Sequence, residues 1–482
     1  MEKGIKTSIS DRANVGIMVC GHREYWPQFP GAKEAMIAYS NVFADKVKAT
    51  DVNLLGSVFV DTIEDAYRTG VEFKSKDIDL LYVYVTAYVA SGRYMQGALA
   101  AGCPIVVVGA QNKIKLDGLD QQKMLVIGGP CAMSEAYSAL WRCGKPAAGV
   151  MFDYMEDNPR SDKEIEEWCR AANAVRAFKG SVFGYMGHSY EGMLDMNFDP
   201  TAVTRAVGAH VKFVEMCELV DYIQKCTKEE LQAKLNEIDS TFVRLSRSYD
   251  RTTKDIEDSD IEWAAQVAVG LDKLVQNHSL SGFAYYYMGE NNSIYERAAS
   301  NLMVGNSLMT TKGISMAGEG DMKTCLAMYI TSALGCGGSF AELCFLDWDD
   351  NIVIVGHDGP HDIRISDKKP TIRGLSLMHG KKGYGVSVEF SIKHGPMSMV
   401  AMAQGENGRY YLVVAEGESQ EGWVPPVGNT LTRGYFGKDI HQFILDWTMS
   451  GVAHHASLAI GHCYGIVEKF GKLMGLEVVK VR

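Results

Sequence analysis

Short, nearly unbroken apolar runs alternate with longer amphipathic stretches over the first third of the chain. Val15–Gly21, Val52–Val60, Ile78–Val85 and Pro104–Ala110 are rich in β-branched residues with little polar interruption. Strands buried on both faces have this texture. Ala32–Lys48 and Tyr88–Ala101 lie between them and are long enough for helices. Helical crossovers join parallel strands and cover both faces of their sheet, so the βαβα order predicts a doubly wound parallel sheet. Pro146–Phe152 adds a strand, and Ala132–Cys143 and Asp162–Phe178 add helices, to a first unit placed at residues 1–180.

A second α/β unit is expected over 181–335. Val182–Gly187 and Val211–Val220 read as strands, and Pro200–Gly208 as a helix with proline in its first turn. Lys228–Asp258 carries dense charge around an apolar stripe of Leu231, Leu235, Ile238, Phe242 and Leu245, which predicts an amphipathic helical region. Trp263–Asn277 and Ile294–Thr311 read as helices with one apolar face. After about Asn351 the texture changes to short runs broken by Gly, Asp, Asn and Pro. These are Asn351–Gly356, Thr371–Leu377, Gly385–Lys393, Met397–Ala403 and Arg409–Ala415. Val386, Val388, Phe390 and Ile392 alternate with small or polar residues, the period of a half-buried strand. The expected fold is therefore α/β: two doubly wound, Rossmann- or flavodoxin-like parallel-sheet units, then a β-rich, barrel-like antiparallel domain over 336–482. A helical pattern, His441–Phe470, closes it.

Charge narrows the function classes. Lys and Arg number 48 against 59 Asp and Glu, a net −11, which disfavours a phosphate-backbone binder. No apolar run reaches the roughly 18 residues of a membrane span, and the first residues lack the apolar core of a signal peptide. The eleven cysteines are odd in number and form no Cys-x-x-Cys pair, so they are expected to be reduced core residues of a cytoplasmic protein. Gly128-Gly-Pro-Cys and Gly335-Cys-Gly-Gly have neither of the glycine spacings that cradle nucleotides and read as tight turns.

Candidate chemistry gathers late in the chain, where eight of the twelve histidines lie beyond residue 350. Glu319 sits between two glycines, where an unusual backbone can present a side chain without crowding. Glu342 lies in the apolar run Phe340–Leu346, where an unpaired carboxylate is costly and calls for a cation or metal. His357 ends an apolar strand at a glycine-rich turn. His454 and His455 are adjacent on an expected helix and so point about 100° apart; one is expected to ligate and the other to orient substrate or to support a ligand. Two carboxylates with one or two imidazoles suit Mn²⁺, Co²⁺ or Mg²⁺ better than a thiolate-bound zinc. The run Tyr285-Tyr-Tyr287 offers either sugar-stacking faces or a buried strand.

Ala-Gly-Glu-Gly-Asp-Met-Lys-Thr (317–324), Ser-Phe-Ala-Glu (339–342), Val-Gly-His (355–357) and Gly-Val-Ala-His-His-Ala-Ser-Leu-Ala-Ile-Gly-His (451–462) resemble, in order and interval, the L-arabinose isomerase family. Met193–Pro200 and Gly208–Leu219 look closer to L-fucose isomerases of the same architecture. The resemblance implies Mn²⁺ held by Glu319, Glu342, His357 and His455, with both glutamates transferring protons. It implies sugar contacts from His22, Arg23, Gln111, Met193 and His454, and a homo-oligomer, trimer or hexamer, sharing its sites. The function so implied is an aldose–ketose isomerase working through an enediolate. The alternative is a catalytically silent carbohydrate-binding or regulatory protein of the same fold; retention of both glutamates favours the enzyme.

One departure bears on the sugar. Where typical L-arabinose isomerases carry a His-Thr-Gln segment after the fourth strand, this chain has Gly109-Ala-Gln111, and Arg23 stands where a glutamine is expected. Glycine donates no hydrogen bond and leaves room, while arginine adds a planar donor fork. The expected substrate is therefore a sugar other than L-arabinose, with His22 or Arg23 making the distal contact.

Overall fold

The computed structural model describes residues 12–481 except 112, 114, 121–123, 125–128, 146, 246–252, 288, 289, 291, 379, 380, 383, 384, 426, 428 and 438. Gly128 of the first glycine motif falls outside them. The chain divides into two units, one holding residues 12–176 with Glu468–Gly475 and the other Ala177–Val467 with residues 476–481.

The first unit is built on strands β1 (Asn14–Cys20), β2 (Asn53–Val60), β3 (Leu80–Val85), β4 (Ile105–Ala110) and β5 (Gly149–Asp153), all parallel in the order β2-β1-β3-β4-β5. All six residues of β3 are buried, as its unbroken apolar run requires. The helix expected over Tyr88–Ala101 is confined to Met95–Ala100, with a single 3-10 turn at Ser91–Arg93 before it. That helix meets Ile63–Ser75 backbone to backbone: a Cβ on Gly70 would lie 1.9 Å from the Gly97 carbonyl oxygen.

The second unit contains a parallel sheet and a larger, mostly antiparallel one. The parallel sheet comprises β6 (Val182–Gly187), β7 (His210–Val214), β8 (Gly282–Tyr286) and β9 (Ser315–Ala317) in the order β9-β8-β6-β7. The larger sheet comprises β10 (Ser339–Asp347), β11 (Ile352–His357), β12 (Gly395–Gln404), β13 (Tyr410–Gln420), β14 (Thr430–Tyr435), β15 (His455–Ile460) and β16 (Val478–Val481). Its order is β12-β15-β10-β11-β14-β13-β16, and β12 pairs with β13 as well, over Gly395–Gln404 against Tyr410–Ser419. The helix Met322–Ala333 packs on β8 and β9 of the parallel sheet and on β12 and β15 of the larger one. It is buried along nearly its whole length, so it is apolar or internally bonded on every side rather than amphipathic. The passage from the parallel sheet to the larger one falls between Ala333 and Ser339, ahead of the change of texture near Asn351.

Four further expected elements differ. Ile294–Thr311 is two helices, Ile294–Ala299 and Met303–Thr311. Val211–Val220 is a strand only to Val214; Met216, Leu219, Val220 and Ile223 then form the buried stripe of the helix Met216–Gln224. Lys228–Asp258 is helical only to Thr241, after which Val243–Leu245 and Thr253–Lys254 join a small sheet with Thr371–Leu375 and Val386–Glu389. The closing helical pattern is two helices, Ile440–Met449 and Tyr464–Met474, flanking β15. Gly451 and Gly461, at φ 77° and 87°, turn the chain out of the first helix and out of the strand. His455 therefore opens a strand, and neither it nor His454 is helical. All eleven cysteines are free; Cys20, Cys169, Cys325, Cys336 and Cys463 are buried, whereas Cys131, Cys143 and Cys217 are exposed rather than in the core.

Candidate metal centre

Strand register assembles half of the centre. Glu342 on β10 lies directly opposite His455 on β15 and opposite Gly356 on β11. Directly opposed residues present their side chains on one face, so residues more than a hundred positions apart converge. Phe340, two residues before Glu342 and fully buried, packs against both imidazoles, with ring centroids 4.8 Å from His357 and 4.3 Å from His455. The β10–β11 ladder shifts register between Leu343 and Phe345, immediately beside Glu342; such irregularities recur next to functional sites.

The other half comes from the end of β9. There Gly318-Glu319-Gly320 leads into the helix Met322–Ala333, and Glu319 itself adopts a left-handed φ of 56°. A left-handed conformation at a non-glycine residue costs about 1–3 kcal/mol and persists where surrounding structure enforces it. Gly320 has φ 73°, and a Cβ there would lie 2.5 Å from the His188 carbonyl oxygen, so the loop after β6 leaves no room for a side chain. Tyr190 N–H donates to the Glu319 carbonyl at 2.9 Å and Gly320 N–H to the Tyr285 carbonyl at 2.9 Å, fixing the turn from both sides.

These elements bring five potential ligands together in two groups, Glu319–His454–His455 and Glu342–His357–His455, the donor atoms of each group lying within 4.8 Å of one another. His455 is fully buried, while Glu319 and Glu342 are partly exposed. Glu319 Oε2 and His455 Nε2 are buried, lack hydrogen-bond partners and stand 3.5 Å apart. Two orphaned acceptors facing each other are costly unless a cation lies between them, and carboxylate and imidazole donors fit a divalent ion of the Mn²⁺ type.

A carboxylate stands near Nδ1 of each of the three candidate histidine ligands. His455 Nδ1 is 3.1 Å from Asp321 Oδ2, His454 Nδ1 is 2.6 Å from Asp195 Oδ2, and His357 Nδ1 is 2.8 Å from Asp358 Oδ1. Ionised carboxylates only accept, so Nδ1 carries the proton in the first two and Nε2 keeps its lone pair. Metal-bound histidines are held in this way. Asp321 also caps the helix Met322–Ala333, accepting from Thr324 N–H at 3.0 Å and from its hydroxyl at 2.8 Å. Burial would raise the Asp321 carboxyl, but the hydrogen bonds from His455 and Thr324 outweigh it and hold it below the ordinary range.

The histidines are driven in opposite directions. Burial lowers His455, against Asp321 and with help from His357 and His454. Burial would also lower His357, but Asp358, Glu342 and Glu319 outweigh it and push it up to about 9. His361, fully buried with neither ring nitrogen hydrogen-bonded, is lowered to about 3 by burial and by its neighbour His357. Tyr285 is raised by burial and by Asp358 and Glu319, and its hydroxyl accepts from the Asn306 amide.

All four residues expected as metal ligands thus converge, and His454 lies beside them. Met193 belongs to the same unit, next to the turn Leu194–Met196 that carries Asp195. His22, Arg23 and Gln111 belong to the other unit, at the carboxyl ends of β1 and β4. The first two tyrosines of the 285–287 run lie on β8 and are part-buried; Tyr286 packs against His188 and Tyr190, with centroids 5.3 and 4.9 Å away. Asp195, Asp321, Asp358, Lys323 and Phe340 were not singled out by the sequence. The Asp321-x-x-Thr324 cap and the Asp358 next to His357 were visible in it; Asp195, 259 positions from His454, was not. No helix among the described residues is long and apolar enough to cross a membrane. No family model and no curated protein sequence matches the chain.

Proposed function

We propose that the protein is a divalent-metal-dependent aldose–ketose isomerase, a cytoplasmic homo-oligomer acting on a sugar other than L-arabinose. The observation that carries this reading is the convergence of two glutamates with three histidines in two overlapping groups that share His455, with His454 and His455 held at Nδ1 by carboxylates so that their Nε2 lone pairs are free. The strand order β2-β1-β3-β4-β5 is that of flavodoxin-like sheets, and the β12–β13 pairing supports a barrel-like C-terminal sheet.

Glu319, Glu342, His357 and His455 would hold the ion, Mn²⁺ with Co²⁺ or Mg²⁺ as substitutes. When bound, it polarises the sugar carbonyl and acidifies the neighbouring hydroxyl. The rest falls to the chain. One glutamate takes the proton from C2 and the other delivers a proton at C1 or to the oxygens, a division that needs two carboxylates within reach of one substrate. Phe340 covers the floor and excludes water from the imidazoles. His454 and Met193 are the proposed contacts to sugar hydroxyls beside the ion, and His22, Arg23 and Gln111 the proposed distal contacts in a neighbouring subunit's site.

Glu319→Gln and Glu342→Gln keep shape and hydrogen bonding but remove the proton acceptor. Each should reduce turnover by at least about 10²-fold, the usual contribution of a positioned acid or base, with an unchanged urea midpoint. Near-native turnover in both would overturn the assignment.

A further inference from the structure

Lys323 is a cation in an unfavourable place. It is the second residue of the helix Met322–Ala333 and only 5% exposed. Lysine is seldom so buried, and a helix N-terminus, itself partly positive, disfavours it further. Burial pulls it below the ordinary lysine value, against the attraction of the Asp321 and Asp195 carboxylates. Its ammonium donates to the main-chain carbonyl of Asp195, 128 positions away.

That carbonyl belongs to a turn that holds itself poorly. Leu194–Met196 is a single 3-10 turn with only Met196 buried, and hydrogen-bond geometry in such turns is inferior to that of an α-helix. Met196 N–H to the Met193 carbonyl and Asn197 N–H to the Leu194 carbonyl are both 3.3 Å, longer than the usual N–H···O range. Yet the carboxylate of this turn grips His454 twice. Asp195 Oδ2 accepts its main-chain N–H at 3.1 Å and its Nδ1–H at 2.6 Å. His454 follows the left-handed Gly451 by three residues, and its side chain is 35% exposed, so burial alone does not fix it.

We propose that Lys323 is a positioning residue: by fastening the Asp195 carbonyl, it keeps the Asp195 carboxylate where it fixes the backbone and the ring of His454. The start of one helix then orients both adjacent histidines. Its cap, Asp321, holds His455 directly, and Lys323 holds His454 at one remove. This chain of contacts needs neither ion nor substrate. Its effect on turnover rests on the isomerase reading, in which His454 meets the sugar.

Lys323→Met keeps most of the side-chain volume and removes the ammonium, and Lys323→Gln keeps a donor without the charge. Hydrogen exchange of the metal-free full chain, followed by mass spectrometry, reads the His454 N–H in a peptide spanning residues 451–456. Exchange there should be about tenfold faster in Lys323→Met, the factor that one lost hydrogen bond supplies, while peptides from β11 and β13 keep their rates. Lys323→Gln should fall between. With Mn²⁺ and an aldose that the wild type converts, Lys323→Met should raise KM about tenfold and leave kcat within about twofold, the pattern of lost uniform binding. Beside His454→Ala the same substitution should change KM by less than about twofold, because the two residues act as one. Unchanged exchange at 451–456, equal acceleration throughout the chain, failure of both variants to fold, or a full KM effect beside His454→Ala would each overturn the proposal. Faster exchange at 451–456 with no ketose from any sugar would reject the isomerase reading alone, and ketose with unchanged exchange would reject this inference alone.

Discussion

Replacing Asp321 by asparagine changes almost nothing in shape and should nevertheless weaken metal binding more than stability. Asp321 is fully buried and accepts three hydrogen bonds: Thr324 N–H at 3.0 Å, the Thr324 hydroxyl at 2.8 Å and His455 Nδ1 at 3.1 Å. Asparagine caps helices about as well as aspartate, so its Oδ1 can keep the bond from Thr324 N–H. Its NH₂ then points at His455 Nδ1, and two donors cannot face each other. The imidazole resolves this by moving its proton to Nε2, where the ligand lone pair is needed. Loss of such a carboxylate partner lowers metal affinity by about 10–100-fold, or about 1.4–2.7 kcal/mol, while the metal-free fold loses about 1 kcal/mol, one hydrogen bond's worth. Asp321→Ala removes the cap and strands both donors, costing about 2–5 kcal/mol of stability. Calorimetric titration with Mn²⁺ and urea unfolding of the metal-free protein measure the two effects separately. An Asp321→Asn protein with Mn²⁺ affinity within twofold of the wild type would refute the reasoning.

Two further substitutions probe the frame of the site. Gly320→Ala places a methyl group 2.5 Å from the His188 carbonyl at a φ of 73°; it should cost about 1–3 kcal/mol, read by urea unfolding, and displace Glu319 enough to reduce turnover. His361→Leu tests a buried imidazole with a folded-state pKa of about 3 against an ordinary value of 6.5. Below pH 6.5 the unfolded chain takes up a proton that the folded chain refuses, so stability is lost as pH falls from 6.5 toward 3. Between pH 6 and 5 this amounts to about 1 kcal/mol, and the leucine variant should lose that much less than the wild type in paired urea melts. Parallel losses in the two proteins would remove His361 from the account.

The elements most legible in the sequence were those whose burial leaves a simple pattern. The unbroken runs of β1, β3 and β4 announced a parallel sheet because both faces are covered, and β6 and β11 were equally plain. The segment around His455 misled because apolar spacing over 441–470 fits a helix as well as it fits helix, strand, helix. Only the left-handed glycines at 451 and 461 and the ladders to β10 and β12 decide it. That error hid where His455 stands: on a strand, it is brought opposite Glu342 by register. The resemblance supplied four candidate ligands, and the structure gathers them into two overlapping groups that share His455. The carboxylates behind the histidines were unread because a lone aspartate such as Asp195, in a 3-10 turn, carries no local sign of a partner 259 residues away.

The central claim is that Glu319, Glu342, His357 and His455 make this chain an isomerase only when a divalent ion is present. The most direct measurement incubates metal-free protein, verified by elemental analysis, and Mn²⁺-loaded protein with a panel of pentoses, hexoses and 6-deoxyhexoses, and follows ketose by chromatography. The account predicts ketose from at least one aldose other than L-arabinose with Mn²⁺ present, none after chelation, and recovery when Mn²⁺ or Co²⁺ is restored. Equal ketose formation by metal-free protein, or none from any sugar by protein that has bound its Mn²⁺, would contradict it.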